Sequence, residues 1–442
     1  MTSQDIFQNC ATAQDAIDAL QKIEAEHLRL GIFDTDAILR EKTVSRQKAE
    51  KLLLQGSSFS DVLYKWDIAQ TTYSGGAFAD ELTAIDPTSG RHYPFASSTA
   101  LFLMDFVGPH AGISPRNLAK LQIQRAARMG YGVRAGFEYE FFLFQETPDS
   151  LRAKDYRNLR SFAVGNQAYS AVTSAVEGDF ISGLTTTMAG MGIELDSFHT
   201  ELGPGCFEAP LLAREGLRAA DDAALFKTFA KAYAQRQGHM ATFMAKWSND
   251  WPGQSGHLHL SLFDLESNSP VFMDQFMGQD EKMEPNQLLH LFLGGLLTYL
   301  PETLVMSAHT ANAYRRLVPG SWAPTHASWG VENRSCAVRA ITHPTPAARI
   351  EFRVPSADSN PYLAIAACLA CGLTGIEEQI DPPEASRGDA YEEVVEDDRR
   401  FPRNLLEAAE RFGDSRKARD LFGNTFVDWF VKTRKWEDQV HR

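Results

Sequence analysis

From His257 to Phe263 the chain reads HLHLSLF, with polar side chains at 257, 259 and 261 and leucines between them. Strand side chains alternate between two faces, so this spacing predicts one apolar and one polar face. The same period recurs in GFEYEFFLF (136–144), where Glu138 and Glu140 share a face opposite Phe137, Tyr139 and Phe141. It recurs again in RIEFRV (349–354), where Arg349, Glu351 and Arg353 oppose Ile350, Phe352 and Val354. GIELDSFHTE (192–201) reads as a further strand, with Glu194 and Asp196 on one face and Glu201 at its end; GPG then turns the chain toward Glu208. Alternation of this kind favours antiparallel strands with one face on a core.

Helical periodicity covers 12–29, 114–130 (opened by Ser-Pro), 217–246, 286–300 and 361–379. Between the first two, LRLGIFDTDAILREKTV (28–44) alternates as a strand pair around Asp34–Asp36, and a turn-rich stretch at 73–95 closes a small N-terminal unit near residue 105. An acidic loop, 381–398, precedes C-terminal helices. The apolar stretches 288–300 and 362–376 are shorter than a bilayer crossing requires and read as buried helices.

Charge narrows the classes of function. Lys and Arg number 43 and Asp and Glu 57, for a net charge of −14, which argues against nucleic acid or an anionic membrane as the main partner. The N-terminus lacks a basic region followed by an apolar core, so a secretory signal is not expected; five cysteines fit a reducing cytoplasm. Cys368 and Cys371 form C-x-x-C within an apolar helix and read as core. No P-loop occurs, and GYGVRAG (130–136) is a poor dinucleotide fingerprint.

Any one polar strand face is most simply a solvated one. Together, however, these segments carry carboxylate, imidazole and guanidinium with almost no Lys, Thr or Gln. Five glutamates with one or two histidines make a hard-ligand set suited to Mg²⁺ or Mn²⁺. Arginines clasp the oxygens of phosphate or carboxylate. Metals beside arginines imply a polyanionic substrate such as a nucleotide. A two-metal hydrolase fits the carboxylates alone but leaves the arginines without a role.

On GFEYEFFLF, HTELGPGCFEAPL, HMATFMAKW, SGHLHLSL, NAYRRLVPGSWAP, ENRSCAVR and RIEFRVPSADSNPYLAIAACLACGL, in that order, the chain resembles the glutamine synthetase superfamily over nearly its whole length. The resemblance implies an α+β fold, with an N-terminal helix and β-grasp domain over 1–108 and a catalytic domain over 109–442, its curved antiparallel strands forming a funnel open at both ends. It implies one metal on Glu140, Glu201 and Glu208, near the amino-acid substrate, and another on Glu138, His257 and Glu351, at the ATP phosphates. Arg316 and Arg353 correspond to arginines on the glutamate carboxylates and Arg334 to one on the transferring phosphate. Arg339 and Arg349 correspond to nucleotide phosphate contacts, and Asp196, His259 and Ser261 to residues near the nucleotide. Gly253 falls in the glutamate-binding loop. The implied partners are ATP, glutamate, an amine and other copies of the chain, in rings commonly stacked as dodecamers.

The pattern departs from glutamine synthetases proper at the acceptor. Trp322 stands where those enzymes carry the glutamate that closes over the site and takes a proton from ammonium. Tryptophan accepts no proton but offers an apolar wall or a π face to an alkylammonium. The loop before His257 reads WPGQSGH instead of NGSGMH, and in the N-terminal segment that would supply a neighbouring subunit's aspartate Asp34 matches while Ala37 replaces the expected glycine. The expectation is therefore a glutamate–amine ligase of the branch that uses organic amines such as methylamine, ethanolamine, polyamines or aromatic amines, with ammonia as the alternative acceptor. Alkylammonium groups lose a proton near pH 10 as lysine does, so a base is required, and Glu332 or Asp34 is the expected one.

Overall fold

Ser114 caps the helix Pro115–Arg128 through the Asn117 N–H, and Gly130, at φ +89°, turns the chain from that helix into the strand Tyr131–Phe144. The computed structural model describes residues 6–7, 10–165, 167–272, 285–342 and 348–441. Among these, Tyr131–Phe144 is the spine of a nine-stranded sheet. Gly256–Asp264 and Cys206–Pro210 flank it; Arg349–Phe352, Val338–Ile341 and Trp329–Val331 extend one side and His199–Thr200 the other. Its two ends also pair with Arg214–Glu215 and Met240–Thr242. All these pairs are antiparallel except Trp329–Val331 with Val338–Ile341.

The apolar face follows the alternation. Phe137, Tyr139, Phe141, Leu258, Leu260, Ile350 and Phe352 are all at most 2% exposed, packed against the alanine- and phenylalanine-rich helix Arg218–Arg236. Burying each such large side chain contributes about 1.5–3 kcal/mol. Behind it the helices Gln287–Thr303 and Pro361–Glu378 cross so closely that a Cβ on Gly295 would lie 2.5 Å from the Gly375 Cα. Cys368 and Cys371 are part of this core, and all five cysteines are free and buried.

The N-terminal sheet runs Leu39–Ser45, His27–Phe33, Thr99–Phe106, Asp80–Ile85, Ser57–Ser60, with Arg91–His92 on the side. Its two central strands are parallel, and its core draws on residues between Phe7 and Ile113. Arg116 ties it to the larger sheet. The buried guanidinium meets Asp221 through Nε (2.8 Å) and Nη2 (2.9 Å), Asp105 through Nη1 (2.5 Å) and Asp86 through Nη2 (2.7 Å).

Four elements differ from the pattern reading. The first helix stops at Lys22, and Glu24 at φ +51° leads into the strand His27–Phe33. The helix from 218 ends at Arg236, where Gly238 (φ +79°) reverses the chain into Met240–Thr242. The apolar helix at 287 continues to Thr303, and the apolar run to Met306 is long enough to cross a membrane by length and composition, but most of it is buried in the core. In 192–201 only His199–Thr200 is a strand, and pairing beyond it reduces to an isolated bridge between Leu195 and Leu211, with the Asp196 N–H on the Pro210 carbonyl. Glu194 accordingly leaves the site and pairs with Arg214 at 3.0 Å.

Candidate active site

The register of the sheet sets its polar face. Glu138 lies opposite His257, His259 opposite Glu351, and Glu351 opposite Arg339. On the other side of the spine Glu140 lies opposite Glu208, and Glu208 opposite His199. One ladder of paired strands thus carries nearly the whole charged surface.

Glu138, His257 and Glu351 converge, each offering a ligand atom within 4.8 Å of the others. His257 Nδ1 lies 3.3 Å from Glu138 Oε1 and 3.2 Å from Glu351 Oε1. Burial and the nearby Arg353 lower the His257 pKa to about 4, which leaves the ring neutral, the state in which imidazole binds metal. Its Nε2 is buried without a hydrogen-bond partner. Burial works to raise the Glu351 carboxyl, but His257 and Arg353 outweigh it and bring it down to about 2. Arg353 Nη1 bonds Glu351 Oε1, and Arg339 Nη1 reaches Oε2 at 3.0 Å. Two carboxylates and a neutral imidazole fit a hard divalent cation. Among the described residues one other trio converges, Asp61, Glu81 and His110 beside the N-terminal sheet, where Lys65 already pairs with Asp61.

This face opens into two cavities. The larger, about 770 Å³, is lined by Asp196, His259, Ser261, Arg339, Arg349 and Glu332. Arg349 Nε donates to His259 Nδ1 at 3.0 Å, and His259 Nε2 lies 3.4 Å from Glu138 Oε2. The smaller, about 380 Å³, is lined by Glu140, Glu201, Gly253, Arg316, Trp322 and Arg353. Four side chains border both cavities: Glu138, Tyr169, Glu208 and Arg334. The funnel's two chambers meet at these four.

Carboxylates crowd the smaller chamber. Burial raises the Glu140 carboxyl, with Glu201 adding to the shift, while the Ser255 N–H donates to its Oε2 at 2.5 Å. Burial pushes Glu208 up to about 7, with Glu138 and Glu140 contributing and His199 opposing. Negative charge here exceeds what the protein neutralises, a condition a cation at Glu140, Glu201 and Glu208 would relieve. These three do not converge as the first trio does. Arg316 donates to the carbonyls of Val354 (3.0 Å) and Arg353 (3.1 Å), and it packs on Gly253, where a Cβ would lie 2.8 Å from Arg316 Cγ.

Trp322 is 62% exposed at the mouth of this chamber, at φ +57°. Its loop is held by Arg353 Nη2 on the Trp322 carbonyl (3.4 Å) and by the Tyr391 hydroxyl on the Ala323 carbonyl (2.9 Å).

The two expected bases lie away from the smaller chamber. Glu332 lies on the larger cavity, where its Oε2 accepts from Arg339 Nε at 3.0 Å, and Trp322 is on the smaller. Asp34, which the resemblance assigns to a neighbouring subunit's site, borders neither cavity of its own chain. It is 3% exposed, and its Oδ1 accepts from the Ile38 N–H (2.9 Å) while Oδ2 accepts from Arg40 Nε (3.0 Å). The pattern reading also passed over His199, whose Nε2 lies 3.1 Å from Glu208 Oε1, and Tyr169, whose ring packs on His199 at 4.6 Å. The histidine of HTELGPG was the available signal for the first; the second lies in a loop with none.

The model of the glutamine synthetase catalytic domain matches residues 112–442. The chain is 34% identical to the glutamate–isopropylamine ligase of Pseudomonas sp over 431 residues, 95% of this chain and 93% of that protein. It is 35% identical to type-1 glutamine synthetase 2 of Dictyostelium discoideum over 453 residues, 97% of this chain and 85% of that protein. A gamma-glutamylethanolamide synthetase of Streptomyces coelicolor is 33% identical over 388 residues, 86% of this chain and 81% of its own length. Among solved structures, an ADP complex of GmaS superposes with a TM-score of 0.82 at 27% identity, covering 96% of this chain and 95% of the other.

Proposed function

The chain belongs to the glutamine synthetase family, and we propose that within it the protein is an ATP-dependent ligase that joins an organic amine to the γ-carboxylate of glutamate. The observation that carries this reading is the pair of chambers meeting at Glu138, Tyr169, Glu208 and Arg334, with Trp322 at the mouth of the smaller one. In this reading the larger chamber takes ATP, with Arg339 and Arg349 on its phosphates and Asp196, His259 and Ser261 beside the nucleoside. Arg316, Arg353 and Gly253 hold glutamate in the smaller. Glu138, His257 and Glu351 would hold one divalent cation and Glu140, Glu201 and Glu208 a second, and these supply charge neutralisation for phosphoryl transfer.

The chemistry then needs little covalent help from the protein. The γ-carboxylate oxygen attacks the γ-phosphorus, ADP leaves, and the amine nitrogen displaces phosphate from the acyl carbon of γ-glutamyl phosphate. Arg334, exposed and bordering both chambers, stabilises the charge on the group in transit. Trp322 presents an apolar, π-rich face to the alkyl part of the acceptor. Of the two expected bases, Glu332 borders the larger chamber of this chain and is assigned the proton of the ammonium acceptor. Assembly into rings, stacked as a dodecamer, belongs to the same proposal, and molar mass in solution tests it.

Phosphate release is the direct test of the ligase, measured with glutamate, ATP, Mg²⁺ and a panel of primary amines beside ammonium. The expected result is turnover with at least one organic amine at lower KM than ammonium. Trp322→Glu is expected to shift that preference toward ammonium. Saturation by millimolar ammonium with no amine preferred would make the protein a glutamine synthetase instead.

A further inference from the structure

Behind the smaller chamber lies a third cavity, about 680 Å³, walled by the turn 36–38, helix Arg218–Arg236, residues 241–244, segment 309–315 and the C-terminal helix Asn424–His441. None of the residues assigned above to ATP, glutamate or the two cations lines it. Its uncommitted groups are mainly basic. Lys231 and Arg315 are solvent-accessible in its wall, and their side chains make no hydrogen bond or ion pair among the described residues. His309 is 1% exposed, and neither of its ring nitrogens has a hydrogen-bond partner; Nε2 is 3.6 Å from Asp36 Oδ1.

The acids of this wall are largely engaged. Asp36 meets Arg434 Nη1 at 3.2 Å, and Asp358 Oδ2 accepts from the Thr310 hydroxyl at 2.7 Å, while Asp358 Oδ1 is buried without a hydrogen-bond partner. Burial favours the neutral form of Glu437. Lys227, also buried there, donates to the carbonyls of Ala357 (3.1 Å) and Ser359 (2.5 Å). A buried imidazole with both nitrogens open costs stability unless something hydrogen-bonds it. Two free cations and that imidazole suit an anion, and Ile38, Phe243 and Leu405 suit a carbon skeleton.

The same wall supports the smaller chamber. Asn312 clamps Lys246 on both sides, accepting from its N–H (2.7 Å) and donating to its carbonyl (3.0 Å), and so anchors the segment that carries Gly253. Asp358 is electrostatically coupled to Arg316, which in turn faces Glu140. We infer that this cavity is a second small-molecule site that takes an organic anion, bearing a carboxylate or a phosphate monoester, and that its occupancy alters glutamate affinity through Asn312 and Arg316. The site itself stands apart from the ligase reading; its effect on glutamate rests on it.

Calorimetric titration of the full chain with succinate, and separately with glycerol 3-phosphate, tests the site and tells the two headgroups apart. The proteins compared are the wild type, the double variant Lys231→Met/Arg315→Met, and Arg334→Gln as a control in the other cleft. Both basic side chains are unpaired, so the double variant is expected to keep its melting temperature. At least one anion is expected to bind the wild type, to bind the double variant about tenfold more weakly or less, and to bind Arg334→Gln as well as wild type. Absence of binding, equal binding by all three, or loss in Arg334→Gln instead would overturn the site. With the anion saturating, the KM for glutamate is expected to change in the wild type but not in the double variant, at similar kcat; an unaltered KM overturns the coupling. An enzyme inactive on every amine would overturn the ligase reading and leave the calorimetry standing.

Discussion

Arg116 and Glu351 are both buried, at 3% and 1% exposure, and both meet several opposite charges, but their surroundings differ. Around Arg116 every nitrogen of the guanidinium faces an aspartate, and the node joins the N-terminal sheet to the helix beneath the larger one. Around Glu351 two arginines and a histidine converge, yet the group borders the larger cavity, and Glu138 beside it adds a second negative charge. The first network is closed and holds elements together. The second opens onto a cavity, where its carboxylates and the unpartnered His257 Nε2 are placed to meet a cation. Buried charge by itself does not distinguish architecture from chemistry; whether the charged groups open onto a cavity does.

Removing the closed node is expected to have the largest effect. Arg116→Met leaves Asp86, Asp105 and Asp221 uncompensated and should cost about 3–5 kcal/mol of stability, read from urea unfolding. A loss below about 1 kcal/mol would mean water substitutes for the guanidinium, and the contrast between the networks would weaken. Glu351→Gln, by the same logic, should leave the melting temperature nearly intact while lowering amine-dependent phosphate release by about 10²–10³-fold. Equal damage to fold and activity would make Glu351 another architectural charge. Smaller still is the response to metal: Mg²⁺ or Mn²⁺ at about a hundred times its Kd should stabilise the protein by about 2.7 kcal/mol, seen as a higher melting temperature. That gain should shrink in Glu138→Gln and persist, from a lower baseline, in Arg116→Met.

Much of this was legible in the sequence because strand alternation is a short-range property. Two residues of spacing suffice to put Glu138 and Glu140, or His257 and His259, on one face, and the antiparallel register then brings Glu138 opposite His257. The ends of elements were less legible. Glu24 and Gly238 reverse the chain in the left-handed region, and no periodicity announces that. The strand expected at 192–201 is broken into the two residues His199–Thr200 and an isolated Leu195–Leu211 bridge, which its own alternation does not announce. The surroundings of Asp34 were equally hidden. The spacing shows a carboxylate in a turn, but not that Arg40 and the Ile38 N–H have closed around it. Tyr169 reaches the site from a loop, at φ +56°, through contacts that no local pattern encodes.

Gly253 bears on how this pocket can be redesigned. A side chain at 253 would run into Arg316 and into the Ala245 carbonyl, 2.9 Å from its Cβ, so a library randomised there would return almost only glycine among active clones. Position 322, at the rim and open to solvent, is free of that constraint, and its left-handed backbone even favours glycine or asparagine over tryptophan. Acceptor diversity is therefore best sought by varying the rim, with the floor of the chamber held constant.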